Sequence, residues 1–124
     1  TNTLADMRRD GFGENPIFKF FVAENESGIV GIALYYTAYS TWKGKTIYLE
    51  DLVVTEKLRR AGIGRKLFDA VAAEAKALGA KRFRWQVLEW NEPAISFYNK
   101  IGAELDAEWI NCTMTEDQIQ KYSA

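Results

Sequence analysis

Two acids stand side by side in an otherwise apolar stretch, Tyr48-Leu49-Glu50-Asp51-Leu52-Val53-Val54. A carboxylate is costly to bury without a hydrogen-bond partner, so an acid inside a strand usually has a task. Proton acceptance from a primary amine would be one. A lysine-type amine has a pKa near 10.4, and holding it neutral at pH 7 costs roughly 4–5 kcal/mol. Only the neutral amine can attack a thioester, and a neighbouring carboxylate can take the proton directly or through water. Strand alternation sends Glu50 and Asp51 to opposite faces unless a bulge intervenes, so at most one should face a given cleft. The alternative is two solvated acids at a strand end.

Just beyond lies a glycine-rich turn, Arg59-Arg60-Ala61-Gly62-Ile63-Gly64, followed by Arg65 and Lys66. Amides at a helix start lack intrahelical partners and carry the positive end of the dipole. Glycines there let a phosphate approach the backbone, so the turn could cradle a pyrophosphate. A glycine-eased turn with a solvated basic face would look similar. Neither G-x-x-x-x-G-K-[ST] nor G-x-G-x-x-G is present, since Leu67 stands where the last glycine of the second would fall.

A third segment, Trp90-Asn91-Glu92-Pro93-Ala94-Ile95-Ser96-Phe97-Tyr98, opens a second helix. Asn91 suits its N-cap and Pro93 its first turn. Tyr98 could be a core aromatic, but a buried tyrosine needs a hydrogen-bond partner, and a departing thiolate would accept its proton.

The remaining composition narrows the chemistry. The chain of 124 residues contains no histidine, which removes Ser-His-Asp and Cys-His schemes and the common zinc sites. Cys112 is the single cysteine. It can form no internal disulfide, fits a reducing cytoplasm, and reads as a small core residue on a late strand. Sixteen basic against seventeen acidic residues give a net charge of -1, without the basic excess expected for nucleic acid or an anionic membrane. No apolar run approaches a membrane span.

Elements able to position these groups follow from periodicity. Residues 4–9 read as the end of a helix stopped at Gly11-Phe12-Gly13, and 17–24, 29–39 and 46–54 as strands, the first two joined by a hairpin turn. From 62 to 78, Ile63, Leu67, Val71, Ala75 and Leu78 recur every three or four residues, marking a helix that Gly79 should cap. Residues 82–88 read as a strand with Phe83, Trp85 and Val87 on one face, 91–101 as a helix and 109–114 as a last strand before a polar tail. A strand–helix–strand crossover makes its flanking strands parallel. The expectation is one α/β domain over residues 1–124, with a mixed sheet whose antiparallel hairpins come first.

The order of these segments resembles the GNAT superfamily of N-acetyltransferases. Arg59-x-x-Gly62-x-Gly64 matches its Q/R-x-x-G-x-G/A coenzyme A motif. Residues 10–16, Tyr35-Tyr36, Tyr39-Ser40-Thr41-Trp42, Tyr48 to Asp51 and Trp90 to Pro93 with Phe97-Tyr98 are similar to the diamine (spermidine/spermine) and thialysine acetyltransferases. The resemblance implies a GNAT fold whose first strand and helix lie ahead of this chain. It further implies direct acetyl transfer from acetyl-CoA to a small cationic amine, a homodimer, and no metal. By the same resemblance, Leu52, Val53 and Val54 pair with the pantetheine arm, the turn from Arg59 through Arg60, Ala61, Gly62, Ile63, Gly64 and Arg65 holds the pyrophosphate, and Asn91, Glu92, Pro93 and Ala94 line the cofactor's other side. Glu50 would be the base and Tyr98 the general acid, while Asp51, Trp42, Arg84, Trp85, Gln86 and Glu108 would meet the substrate. Ser40 stands where the polyamine branch carries an acid, which favours a thialysine- or lysine-like amine over spermidine or spermine. A non-catalytic coenzyme A-binding module is the alternative of another class.

Overall fold

The computed structural model of the chain describes residues 1–59 and 61–123. They form two compact units, Thr1–Gln86 and Val87–Ala124. The first begins with α1 (Leu4–Phe12), whose Thr3 and Asp6 form a reciprocal capping box. This helix runs past the stop expected at Gly11. A Cβ there would fall 2.5 Å from the Phe18 ring, so the glycine serves a close approach and the helix ends at Gly13.

Strands β1 (Lys19–Asn25), β2 (Gly28–Ser40), β3 (Gly44–Val54) and β4 (Arg82–Arg84) make one sheet in the order β1-β2-β3-β4. The first two pairings are antiparallel and β3–β4 is parallel, as the crossover through α2 (Ile63–Ala77) requires. The helix lays Leu67, Phe68, Val71 and Ala75 onto the sheet face of Ala33, Tyr35, Ile47 and Leu49, and these are all buried. Full burial of one such aliphatic side chain stabilises the fold by about 1.5–3 kcal/mol. Gly31 lets the helix come close, because a Cβ there would meet Leu67 at 2.9 Å. Tyr35 is 3% exposed and donates its hydroxyl to Glu74 on α2 at 2.8 Å, so its polar end is satisfied. Gly79, at φ +70, closes α2 in the left-handed region, as expected of its cap.

Strand β4 is shorter than the run to Leu88 that alternation suggested, ending at Arg84. The second unit holds α3 (Glu92–Lys100) and α4 (Glu116–Lys121). Residues 109–114, expected as a strand, take no regular structure, and Cys112 is exposed instead of lying in a core. Apolar residues in that run therefore found no strand partner among the described residues. The supposed polar tail instead forms α4, started by a capping box between Thr115 and Gln118.

Candidate active site

Register explains how β3 presents its acids. Tyr35 faces Leu49 and Leu34 faces Asp51, so Glu50 is the unmatched residue of a β-bulge. The bulge reverses the alternation. Before it, Ile47 and Leu49 point towards α2; after it, Leu52 and Val54 take that side, opposite Ala33 and Gly31. Asp51 falls on the other face, and so does Glu50, whose charge acts on Tyr36 and Tyr48 there. Both acids are exposed and serve one face of the sheet.

Tyr36 and Tyr48 are cross-strand partners with ring centroids 5.3 Å apart. Burial first, and then the Glu50 carboxylate, pushes both phenols above their ordinary range, while the Arg84 guanidinium pulls Tyr48 the other way. Arg84 lies opposite Tyr48 on β4 and is exposed. Phe83 and Trp85 take the opposite side, with rings 5.2 and 5.1 Å from Phe68 of α2. Trp85 is thus brought to the packed face and Arg84 to the face of the acids. Gln86 is exposed at the end of this unit. Trp42 is not brought to the acids. It is 85% exposed in the turn between β2 and β3, and about 20 Å of strand separates that turn from Glu50. Ser40 is engaged locally, its Oγ accepting the Trp42 and Lys43 amides at 3.2 and 2.9 Å.

Strand β4 pairs only with Thr46–Tyr48, so beyond Tyr48 no described strand covers that edge of β3. An open edge of this kind can pair with the amides of an extended ligand. Past its end, Gly62 adopts φ +83 as the N-cap of α2, where any Cβ would be strained. No side chain caps this helix and its first turn holds no acid. The first intrahelical bond runs from the Lys66 amide to the Gly62 carbonyl at 3.1 Å. The amides of Ile63 and Gly64 at this start face outward from the helix, where a ligand can reach them. A Cβ at Gly62 would meet nothing within 4 Å, and the nearest atom to one at Gly64 lies 3.7 Å away on Val54. This uncrowded, positively polarised bend fits a diphosphate such as that of acetyl-CoA. The basic side chains have other engagements: Arg59 donates to the Val54 carbonyl at 3.2 Å, and Arg65 pairs with Asp69 at 3.1 Å. Ala61 is exposed in the turn, and Arg60 lies outside the described residues.

In the second unit, Asn91 caps α3 as expected, accepting the Ala94 amide at 3.3 Å, with Glu92 and Pro93 in the first turn. Tyr98 is half-buried on α3, its ring 5.7 Å from Phe97. Glu108 is exposed in a turn, its amide donating to Asp106 at 2.9 Å. Among the described residues no group of three or more His, Cys, Asp or Glu could hold a metal ion, and no helix is long and apolar enough to cross a membrane. Sequence reasoning missed the Tyr36–Tyr48 pair beside Glu50. The signal was present, because a hairpin turning at 41–43 places residue 36 opposite 48.

Comparison with known proteins gives one answer. The model of the Acetyltransferase (GNAT) family matches residues 3–103. Thialysine N-epsilon-acetyltransferase of Mus musculus is 44% identical over 106 residues, covering 79% of this chain and 62% of its own length. This chain thus spans less than two thirds of that relative. Spermidine/spermine N(1)-acetyltransferase-like protein 1 of Homo sapiens is 38% identical over 108 residues, 82% of this chain and 16% of that protein. Among solved structures, an integron cassette protein from the mobile metagenome of V. cholerae superposes with TM-score 0.78 at 26% identity, covering 97% of this chain and 77% of the other. With the glycine turn, the crossover helix and the parallel β3–β4 pair all in the order that the motif implied, the chain belongs to the GNAT family of acetyltransferases.

Proposed function

We propose that the protein is an N-acetyltransferase that moves the acetyl group of acetyl-CoA onto the primary amine of a small cationic metabolite, by direct attack within a ternary complex. The observation that carries this reading is the pairing of an uncapped, left-handed helix start at Gly62 with an open β3 edge that displays Glu50 on a bulge. Acetyl-CoA supplies a thioester carbonyl. The amides of Ile63 and Gly64 hold its diphosphate, and the edge of Leu52, Val53 and Val54 orients its extended arm. Arg59 ties the turn to β3. The Asn91–Ala94 helix start also contributes to cofactor binding.

Glu50 takes the proton of the incoming amine at its carboxylate, directly or through a water, so that the nitrogen attacks uncharged. Tyr98 gives its hydroxyl proton to the departing thiolate. Asp51, on the same face as Glu50, adds negative charge that attracts a cationic substrate. Trp42 and Glu108 complete the substrate contacts if a second copy supplies them, in line with the homodimer that the family resemblance implies. The protein acts in the cytoplasm as a single catalytic domain, without nucleic acid, membrane or metal.

Calorimetry with acetyl-CoA followed by thiol-release assays with small amines tests this. Binding with release is expected. Binding without release for any amine would favour a non-catalytic coenzyme A module. A lysine-like amine is favoured over spermidine or spermine because Ser40 is uncharged and its hydroxyl is committed to the β2–β3 turn.

A further inference from the structure

Two carboxylates reach the open face of the sheet from neighbouring positions, and the register of β2 gives them different surroundings. Asp51 stands opposite Leu34, whose side chain has no polar atom. Glu50, the extra residue of the bulge, has no residue directly across from it. It is exposed, and its long side chain has several torsions to restrain. Diagonal to it on β2 is Tyr36, which stands opposite Tyr48. Diagonal neighbours on one face lie about 7–8 Å apart at the backbone, within reach of an aromatic side chain. The Tyr36 ring is half-buried and its centroid lies 5.3 Å from that of Tyr48. A side chain with few torsions is thus held against a neighbouring ring. Burial first, then the charge of Glu50 and hydrogen bonding to its carboxylate raise the Tyr36 phenol, whereas Tyr48 feels only the charge of that acid.

We propose that Tyr36 is a positioning residue for the base: its hydroxyl donates to one oxygen of the Glu50 carboxylate and leaves the other aimed at the amine or its water. This rests on Glu50 as the proton acceptor in the acetyltransferase reading and gives Tyr36 a task there. An ionised carboxylate accepts at both oxygens, so one bond to a phenol leaves the second free to take the proton. A phenol raised above its ordinary range keeps its own proton at neutral pH, so the amine's proton goes to Glu50. A lysine or arginine in place of Tyr36 would also hold the acid, but its charge would repel a cationic substrate. The same arrangement separates two adjacent acids. The hydroxyl serves Glu50, while Asp51 faces hydrocarbon and is left to attract the substrate at longer range.

A double-mutant cycle in the full-length protein tests this, read as kcat and KM with acetyl-CoA and one primary amine at neutral pH. Tyr36→Phe keeps the ring and removes only the hydroxyl. It should lower kcat about tenfold, while KM for acetyl-CoA and the melting temperature stay as in wild type. Added to Glu50→Gln, the same substitution should change kcat less than about twofold, because the acid through which Tyr36 acts is already lost. An equal loss in both backgrounds, a loss confined to KM or melting temperature, or wild-type kcat in Tyr36→Phe would overturn the role of Tyr36 alone. Wild-type kcat in Glu50→Gln would contradict Glu50 as the base and with it the task of Tyr36, a failure of the underlying reading that the cycle shows separately.

Discussion

The two faces of the four-stranded sheet are built from the same strands and behave differently. Towards α2, Ala33, Tyr35, Ile47 and Leu49 meet Leu67, Phe68 and Val71, and the face is closed. On the other face Tyr36 and Tyr48 are only half-buried, while Glu50, Asp51 and Arg84 are exposed. Each face even holds one tyrosine–glutamate partnership. Tyr35 with Glu74 is a part-buried hydrogen bond between sheet and helix, whereas Tyr36 with Glu50 stands at an accessible edge. The difference comes from α2, which packs on one face alone, while the bulge at Glu50 puts both acids on the other just where β4 ends. One face supplies stability and the other is left free for chemistry. Substitutions should therefore separate into those that change turnover without stability and the reverse.

The largest effect is expected at Glu50. Glu50→Gln should lower kcat at neutral pH by about 10³-fold with little change in melting temperature; a loss of stability with unchanged turnover would erase the distinction between the faces. Tyr98→Phe should slow turnover about 10²-fold while calorimetry shows intact acetyl-CoA binding. Wild-type turnover in that variant would return Tyr98 to a packing role. At the helix start, Gly62→Val forces a branched side chain to φ +83, costing about 1–2 kcal/mol and weakening acetyl-CoA binding about tenfold. Unchanged affinity would remove the diphosphate from this bend.

Tyr35→Phe should act on stability alone, costing about 1–2 kcal/mol at neutral pH and leaving kcat in place. Burial first, then the hydrogen bond it donates to Glu74's carboxylate and that carboxylate's charge, pushes this phenol up to about 12. Its unfolded value is near 10, so the fold holds this proton more tightly than the unfolded chain does. That stabilisation is complete below pH 10 and is lost as the pH rises through about 12. Urea denaturation at several alkaline pH values should show this decline in the wild type and a flatter curve in Tyr35→Phe. Identical curves would mean that Tyr35 does not carry it.

What the sequence made legible was whatever depends on a regular period. The face formed by Leu67, Val71 and Ala75 predicts α2, and the crossover then dictates the parallel β3–β4 pair. Asn91 and Gly79 announced their caps through local backbone chemistry. Period-two reasoning cannot count an inserted residue, so it raised the bulge at Glu50 as a possibility without placing it. Arg82–Leu88 alternates throughout, yet β4 stops at Arg84, because strand length depends on a partner that alternation does not see. Apolar content at 109–114 misled for the same reason. Thr115-x-x-Gln118, in contrast, was a readable capping box that polarity alone disguised as a tail. At the site, Glu50 was legible from its apolar surroundings, whereas its neighbours Tyr36, Tyr48 and Arg84 assemble only through cross-strand register.

The most direct test of the account is the pH dependence of thiol release by wild type and Glu50→Gln with one primary amine. If Glu50 removes the amine's proton, the variant should be slowest relative to wild type near neutral pH. It should recover towards wild-type rates as the pH approaches about 10, where the free amine is abundant. A deficit of constant size across that range, or none at all, would contradict the role assigned to Glu50.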